Sequence, residues 1–168
     1  EFENDLSITE DQYLEMIEKK TGSLLGACAA LSATLAGVDQ KVINEFDQFG
    51  RALGNGFQIH DDLLEIYGNP NEIGKSLGSD IAEGKQTMMV IKARNLFGKE
   101  WGEIIGDPDR IDFMDRIRSF FTENGIENET KGLTQTYFDL ARNSLEKIEE
   151  INCSELFDFV NLVETRSY

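Results

Sequence analysis

Apolar residues recur every three or four positions along nearly the whole chain, and no stretch keeps the two-residue alternation of a strand. Tyr13, Met16, Ile17, Leu24, Leu25 and Cys28 form the first such stripe. Thr9-Glu10-Asp11-Gln12 opens it with a capping-box pattern, Thr9 as N-cap and Gln12 three residues on, and Leu6 or Ile8 is placed to staple back. This helix is expected to run to Leu35 or Ala36 and to stop at Gly37. Asp39 then caps a second helix with Val42, Ile43, Phe46, Phe49, Leu53 and Phe57 inward, antiparallel to the first across a short turn. Gly68-Asn69-Pro70 breaks it into a glycine-rich loop reaching Lys85. A third helix is predicted over 86–96, a fourth over 109–123, a fifth over 128–151, and a last short one from Ser154. The segment 97–109, interrupted by Gly98, Gly102, Gly106 and Pro108, reads as a connection containing a helical turn. The expectation is a single all-α unit, an antiparallel helical bundle over 1–168.

Composition narrows the partners. The 168 residues suffice for one domain with a real core. Thirty-two acidic against 16 basic residues give a net charge of −16, which argues against nucleic acid and against an anionic membrane surface. No apolar run approaches the ~20 residues of a membrane span. Cys28 and Cys153 lie far apart with no metal or redox spacing, as expected in a reducing, cytoplasmic compartment.

One stretch carries chemistry. On the second helix Asp61 and Glu65 stand one turn apart with Asp62 beside them, and the loop that follows holds Lys75, Asp80 and Lys85. Clustered carboxylates repel one another, and a hard divalent cation such as Mg²⁺ relieves that repulsion while sharing its remaining positions with phosphate. The lysines then point to a polyanion. Alone, Asp61-Asp62-x-x-Glu65 reads as a solvated helix end; the GK…D…GK loop behind it shifts the reading to a site. His60 has no metal partner at ligand spacing and is read as structural.

Lys20-Thr21-Gly22, then Gly54-x-x-Phe57-Gln58-Ile59-x-Asp61-Asp62-x-x-Glu65, then Gly74-Lys75-x-x-Gly78-x-Asp80-x-x-x-Gly84-Lys85 together resemble the C-terminal half of trans-isoprenyl diphosphate synthases of the geranylgeranyl and farnesyl type. The resemblance runs from about Phe2 to the end of the chain. It implies the isoprenoid synthase fold and the condensation of isopentenyl diphosphate with an allylic diphosphate. It also implies Mg²⁺ held by Asp61, Asp62, Glu65 and Asp80, a leaving diphosphate held by Lys20, Lys75 and Lys85, and Thr21 and Gln58 beside the carbocation. Arg166 resembles a basic tail over the second diphosphate. The family form DDxxD is here DDLLE, so Asp61 is the safest ligand and Glu65 a departure.

A homodimer is implied as well. The first aspartate-rich motif of the family is absent from this sequence, so a missing N-terminal half is expected, along with an apolar face that it would cover. The isolated chain is therefore expected to be inactive. Two alternatives stay open, a non-catalytic regulatory subunit of a heteromeric synthase and a class I terpene cyclase.

Overall fold

The computed structural model describes residues 5–68 and 78–166, and no strand occurs among them. The helices are α1 (Glu10–Ile17), α2 (Ser23–Leu35), α3 (Gln40–Tyr67), α4 (Ser79–Ala82), α5 (Met88–Ile105), α6 (Phe113–Glu123), α7 (Ile126–Glu146) and α8 (Ser154–Thr165), with a π-helical turn, Glu18–Gly22, between α1 and α2. The all-α reading holds. The capping box is formed as expected: Gln12 donates its N–H to Thr9 Oγ1 at 3.2 Å and Thr9 donates its own to Gln12 Oε1 at 2.9 Å. Ile8 is buried and Leu6 exposed, so Ile8 is the one placed to staple. The described residues divide into two compact units, one of residues 5–13, 61–68 and 78–132, the other of residues 14–60 and 133–166.

The first unit is built around Leu63 and Ile66 at the end of α3, Met89, Val90, Ala93 and Trp101 of α5, and Phe113, Ile117, Phe120 and Phe121 of α6. Here the connection expected over 97–109 is corrected. Helical geometry is interrupted at Phe97 (φ −129°, ψ 16°), at the expected end of the third helix, and then resumes to Ile105. Trp101 stacks on Phe121 at 5.2 Å between ring centroids, and Phe97 meets Phe120 edge-on at 5.4 Å. Burying these rings outweighs the helix penalty of about 1 kcal/mol for each glycine. Helix α6 begins at Phe113 rather than 109, because Arg110 grips Asp112 with two bonds of 2.8 and 2.9 Å in a turn that precedes it. Helix α5 begins at Met88 rather than 86, with Thr87 as its N-cap. Gln86 is taken instead by Arg94, which donates to its Oε1 at 2.6 Å and to the Ile8 carbonyl at 2.5 Å.

In the second unit α2 and α3 run antiparallel, as expected, and at the distance of touching backbones. A Cβ on Gly54 would lie 2.8 Å from Gly22 Cα, and one on Gly50 would overlap the Leu25 carbonyl. Phe49, Ala52 and Leu53 of α3 pack with Phe138, Ala141 and Leu145 of α7 and Val160 and Val163 of α8. Helix α7 spans Ile126–Glu146 instead of 128–151. Its end turns at Leu145, whose carbonyl accepts the Ile148 N–H at 3.1 Å, and that turn keeps Ile148 and Cys153 in the core. None of the helices among the described residues is long and apolar enough to cross a membrane.

Cys28 is exposed on α2, whereas Cys153 is buried and its thiol pKa is pushed above the ordinary value by that burial. A maleimide added to the native protein at pH 7.5 should therefore label one thiol rapidly and the second only on unfolding. Two equally fast thiols by mass spectrometry would contradict this packing.

Candidate functional site

In the first unit Asp61, Asp62 and Glu65 all lie on α3 and are partly buried. The buried Tyr13, 2% exposed, donates its hydroxyl to Asp62 Oδ2 at 2.6 Å. Glu65 turns toward the chain as it returns from the glycine-rich loop. Its Oε1 accepts the Asp80 N–H at 3.3 Å, and its carbonyl accepts the Gly78 N–H at 3.3 Å. Asp80 in turn receives Lys85 Nζ at 2.5 Å, and this bond raises the lysine pKa and keeps it cationic. Lys75, assigned to the diphosphate, lies outside the described residues.

Among the described residues no three acidic, histidine or cysteine side chains gather into a metal cage. Of the carboxylates assigned to the metal, Glu65 accepts the Asp80 N–H and Asp80 accepts Lys85 Nζ. The donor set still suits Mg²⁺, which needs only one or two carboxylates when waters and substrate phosphates supply the other oxygens. Tyr13 occupies one Asp62 oxygen and thereby fixes the carboxylate plane. Tyr13→Phe should cost about 1.5–3 kcal/mol, the worth of a hydrogen bond to a charged group. Urea unfolding checks this, and an unchanged midpoint would mean that Asp62 holds its place without the tyrosine.

In the second unit Lys20 and Thr21 sit in the π-helical turn, where the Ser23 N–H reaches the Glu18 carbonyl five residues back. Lys20 is exposed. Thr21 donates its hydroxyl to Gln58 Oε1 at 3.0 Å, joining two residues that the sequence placed together only by resemblance. Arg166 stands over the Phe57 ring, 4.3 Å from its centroid, a cation–π contact that sets its guanidinium against α3. His60 donates Nδ1–H to the Val163 carbonyl at 3.1 Å and stands edge-on to Phe138, and burial depresses its pKa. Its structural reading fits these contacts.

Sequence reasoning missed the groups behind these residues. Glu18 of the π turn is bound by Arg51 and Asn55 of α3, and Tyr13 by Asp62. The signal was available in the spacing: Arg51, Asn55 and Gln58 share one face of an otherwise apolar helix.

The polyprenyl synthetase family profile matches residues 1–115, and the chain belongs to that family. It is 35% identical over 167 residues to the short chain isoprenyl diphosphate synthase of Methanothermobacter thermautotrophicus, covering 95% of this chain and 51% of that one. It is 39% identical over 155 residues to the geranylgeranyl pyrophosphate synthase of Geoglobus acetivorans, covering 89% and 46%. Among solved structures, the decaprenyl diphosphate synthase of Rhodobacter capsulatus superimposes with a TM-score of 0.84 at 31% identity, over 99% of this chain and 53% of that one. The chain spans about half the length of the curated relatives it matches.

Proposed function

We propose that this chain supplies the diphosphate-releasing half of a short-chain trans-prenyl diphosphate synthase of the geranylgeranyl type. The observation that carries the reading is the hydrogen bond from Thr21 to Gln58, a residue of the same helix that bears Asp61 and Asp62. Membership of the family and the geranylgeranyl synthases among its relatives support it. In the reaction the allylic C–O bond breaks and its electron pair leaves with the diphosphate. The double bond of isopentenyl diphosphate attacks the cation, and loss of a proton gives a product five carbons longer.

Lys20, Lys75 and Lys85 would hold the departing diphosphate, and Asp61 and Asp62 would hold Mg²⁺. Bound there, Mg²⁺ supplies positive charge to neutralise the leaving group. Thr21 spends its only proton on Gln58, so its lone pairs are left to face developing positive charge. Arg166, stacked on Phe57, is assigned to the second diphosphate. Glu65 serves Asp80 through the backbone bond rather than as a direct ligand.

Relatives of twice this length carry as much chain again. Helices from that part are the proposed cover for α2, whose Leu24, Leu31 and Leu35 stand exposed in one stripe. The assembled enzyme is proposed as a homodimer.

The test is a chimera in which this chain replaces the matching half of the Methanothermobacter relative. With Mg²⁺, an allylic diphosphate and labelled isopentenyl diphosphate, the chimera should extend the substrate by five carbons, and the isolated chain should not. A folded but inert chimera would refute the catalytic reading, and an isolated chain as fast as the chimera would refute the half-site reading.

A further inference from the structure

We infer that Glu18 is a positioning residue that sets the helical register of Lys20 and Thr21, acting through Arg51 and Asn55. The inference rests on the diphosphate reading of Lys20 and Thr21. A π turn holds one residue more than an α turn, and such turns recur at functional sites. Here the extra residue falls in Glu18–Gly22, the segment that carries both side chains. Relaxation to an α turn would rotate one side of the helix relative to the other by about 100°, the angle of one residue. Thr21 could not then keep its bond to Gln58.

What opposes that relaxation is visible in the contacts of Glu18. Both of its carboxylate oxygens are used. Oε1 receives Arg51 Nη1 and the Ser23 hydroxyl, the latter at 3.3 Å, and Oε2 receives Asn55 Nδ2 at 2.8 Å. Arg51 is itself braced by Asp47, whose Oδ2 accepts Nε–H at 2.7 Å. Asn55 is only 7% exposed, so its amide has little freedom to follow a moving partner. Gly22 and Gly54 remove the Cβ atoms that would hold the two backbones apart, and this lets a glutamate reach across.

The result is a two-rung ladder on one face of α3. Arg51 and Asn55 grip Glu18, and one turn further Gln58 receives Thr21, three residues after Glu18. The lower rung fixes the phase and the upper rung uses it.

The test compares the 168-residue chain with Glu18→Ala, Glu18→Gln and Arg51→Met, the last standing in should the alanine variant not fold. Three quantities are read: amide exchange at Ser23, Mg²⁺-dependent binding of inorganic pyrophosphate by calorimetry, and the urea midpoint. Losing charged hydrogen bonds of this kind should speed Ser23 exchange and weaken pyrophosphate by about tenfold or more in Glu18→Ala. Glu18→Gln, which keeps one acceptor oxygen but turns an NH₂ toward the Arg51 or Asn55 donors, should fall between wild type and Glu18→Ala in both, and Arg51→Met should follow Glu18→Ala. Lys20→Ala should weaken pyrophosphate and leave Ser23 exchange alone. Unchanged exchange in Glu18→Ala, or affinity lost only in step with global stability, would overturn the proposal. A wild-type chain that binds no pyrophosphate would instead refute the diphosphate reading, and Ser23 exchange would still decide whether Glu18 holds the register.

Discussion

Gly50→Ala should destabilise the protein by about 3 kcal/mol or more, the range reached when a buried contact has no room for an added group. The cause is backbone, not side chain. A methyl on Gly50 would overlap the Leu25 carbonyl and crowd the Gly26 amide, and a helix carbonyl cannot swing aside as a side-chain tip can. Relief would require α2 and α3 to separate, and with them the reach of Glu18 to Arg51 and of Thr21 to Gln58. Gly102→Ala is the control. It lies inside α5 with open space where its Cβ would stand, so it should stabilise by about 0.5–1 kcal/mol through helix propensity. Urea midpoints of the two variants should move in opposite directions. A Gly50→Ala midpoint equal to wild type would show that the helices are not in backbone contact.

The second large effect concerns the carboxylates. In the chimeric enzyme Asp61→Ala should lower turnover by about a hundredfold or more, as expected when a metal ligand that neutralises a leaving group is lost. Glu65→Ala should cost clearly less. Its carboxylate is committed to the Asp80 N–H, so its removal loosens the end of the loop without stripping a ligand. Equal losses in steady-state assays would show that Glu65 ligates directly and that the DDLLE departure is only an exchange of one ligand for another.

Much of this was legible in the chain. Three-four spacing located the long helices α3 and α7, and Thr9 with Gln12 marked the first cap in a way the hydrogen bonds reproduce. The errors came where long-range packing overrode a local signal. Gly98 and Gly102 argued for a break, and the backbone does kink at Phe97, yet Trp101 finds Phe121 and the residues beyond it are helical to Ile105. Residues 147–151 kept a helical pattern, but the chain turns to bury Ile148 and Cys153. The π turn was invisible for a different reason. Its extra residue leaves no mark in hydrophobic spacing, and it depends on a glutamate and an arginine 33 residues apart. The roles proposed for Asp61, Lys20 and Lys75 came from family resemblance, because a carboxylate or lysine at a helix end is chemically ambiguous until its partners are known.

The most direct measurement is calorimetric titration of the wild-type chain and its Asp61→Ala/Asp62→Ala variant with inorganic pyrophosphate, with and without Mg²⁺. Wild type should bind pyrophosphate only when Mg²⁺ is present, and the double variant should lose that Mg²⁺-dependent binding while keeping its fold. Binding that is equally strong without Mg²⁺, or that survives the loss of both aspartates, would contradict a metal-bridged diphosphate site on α3.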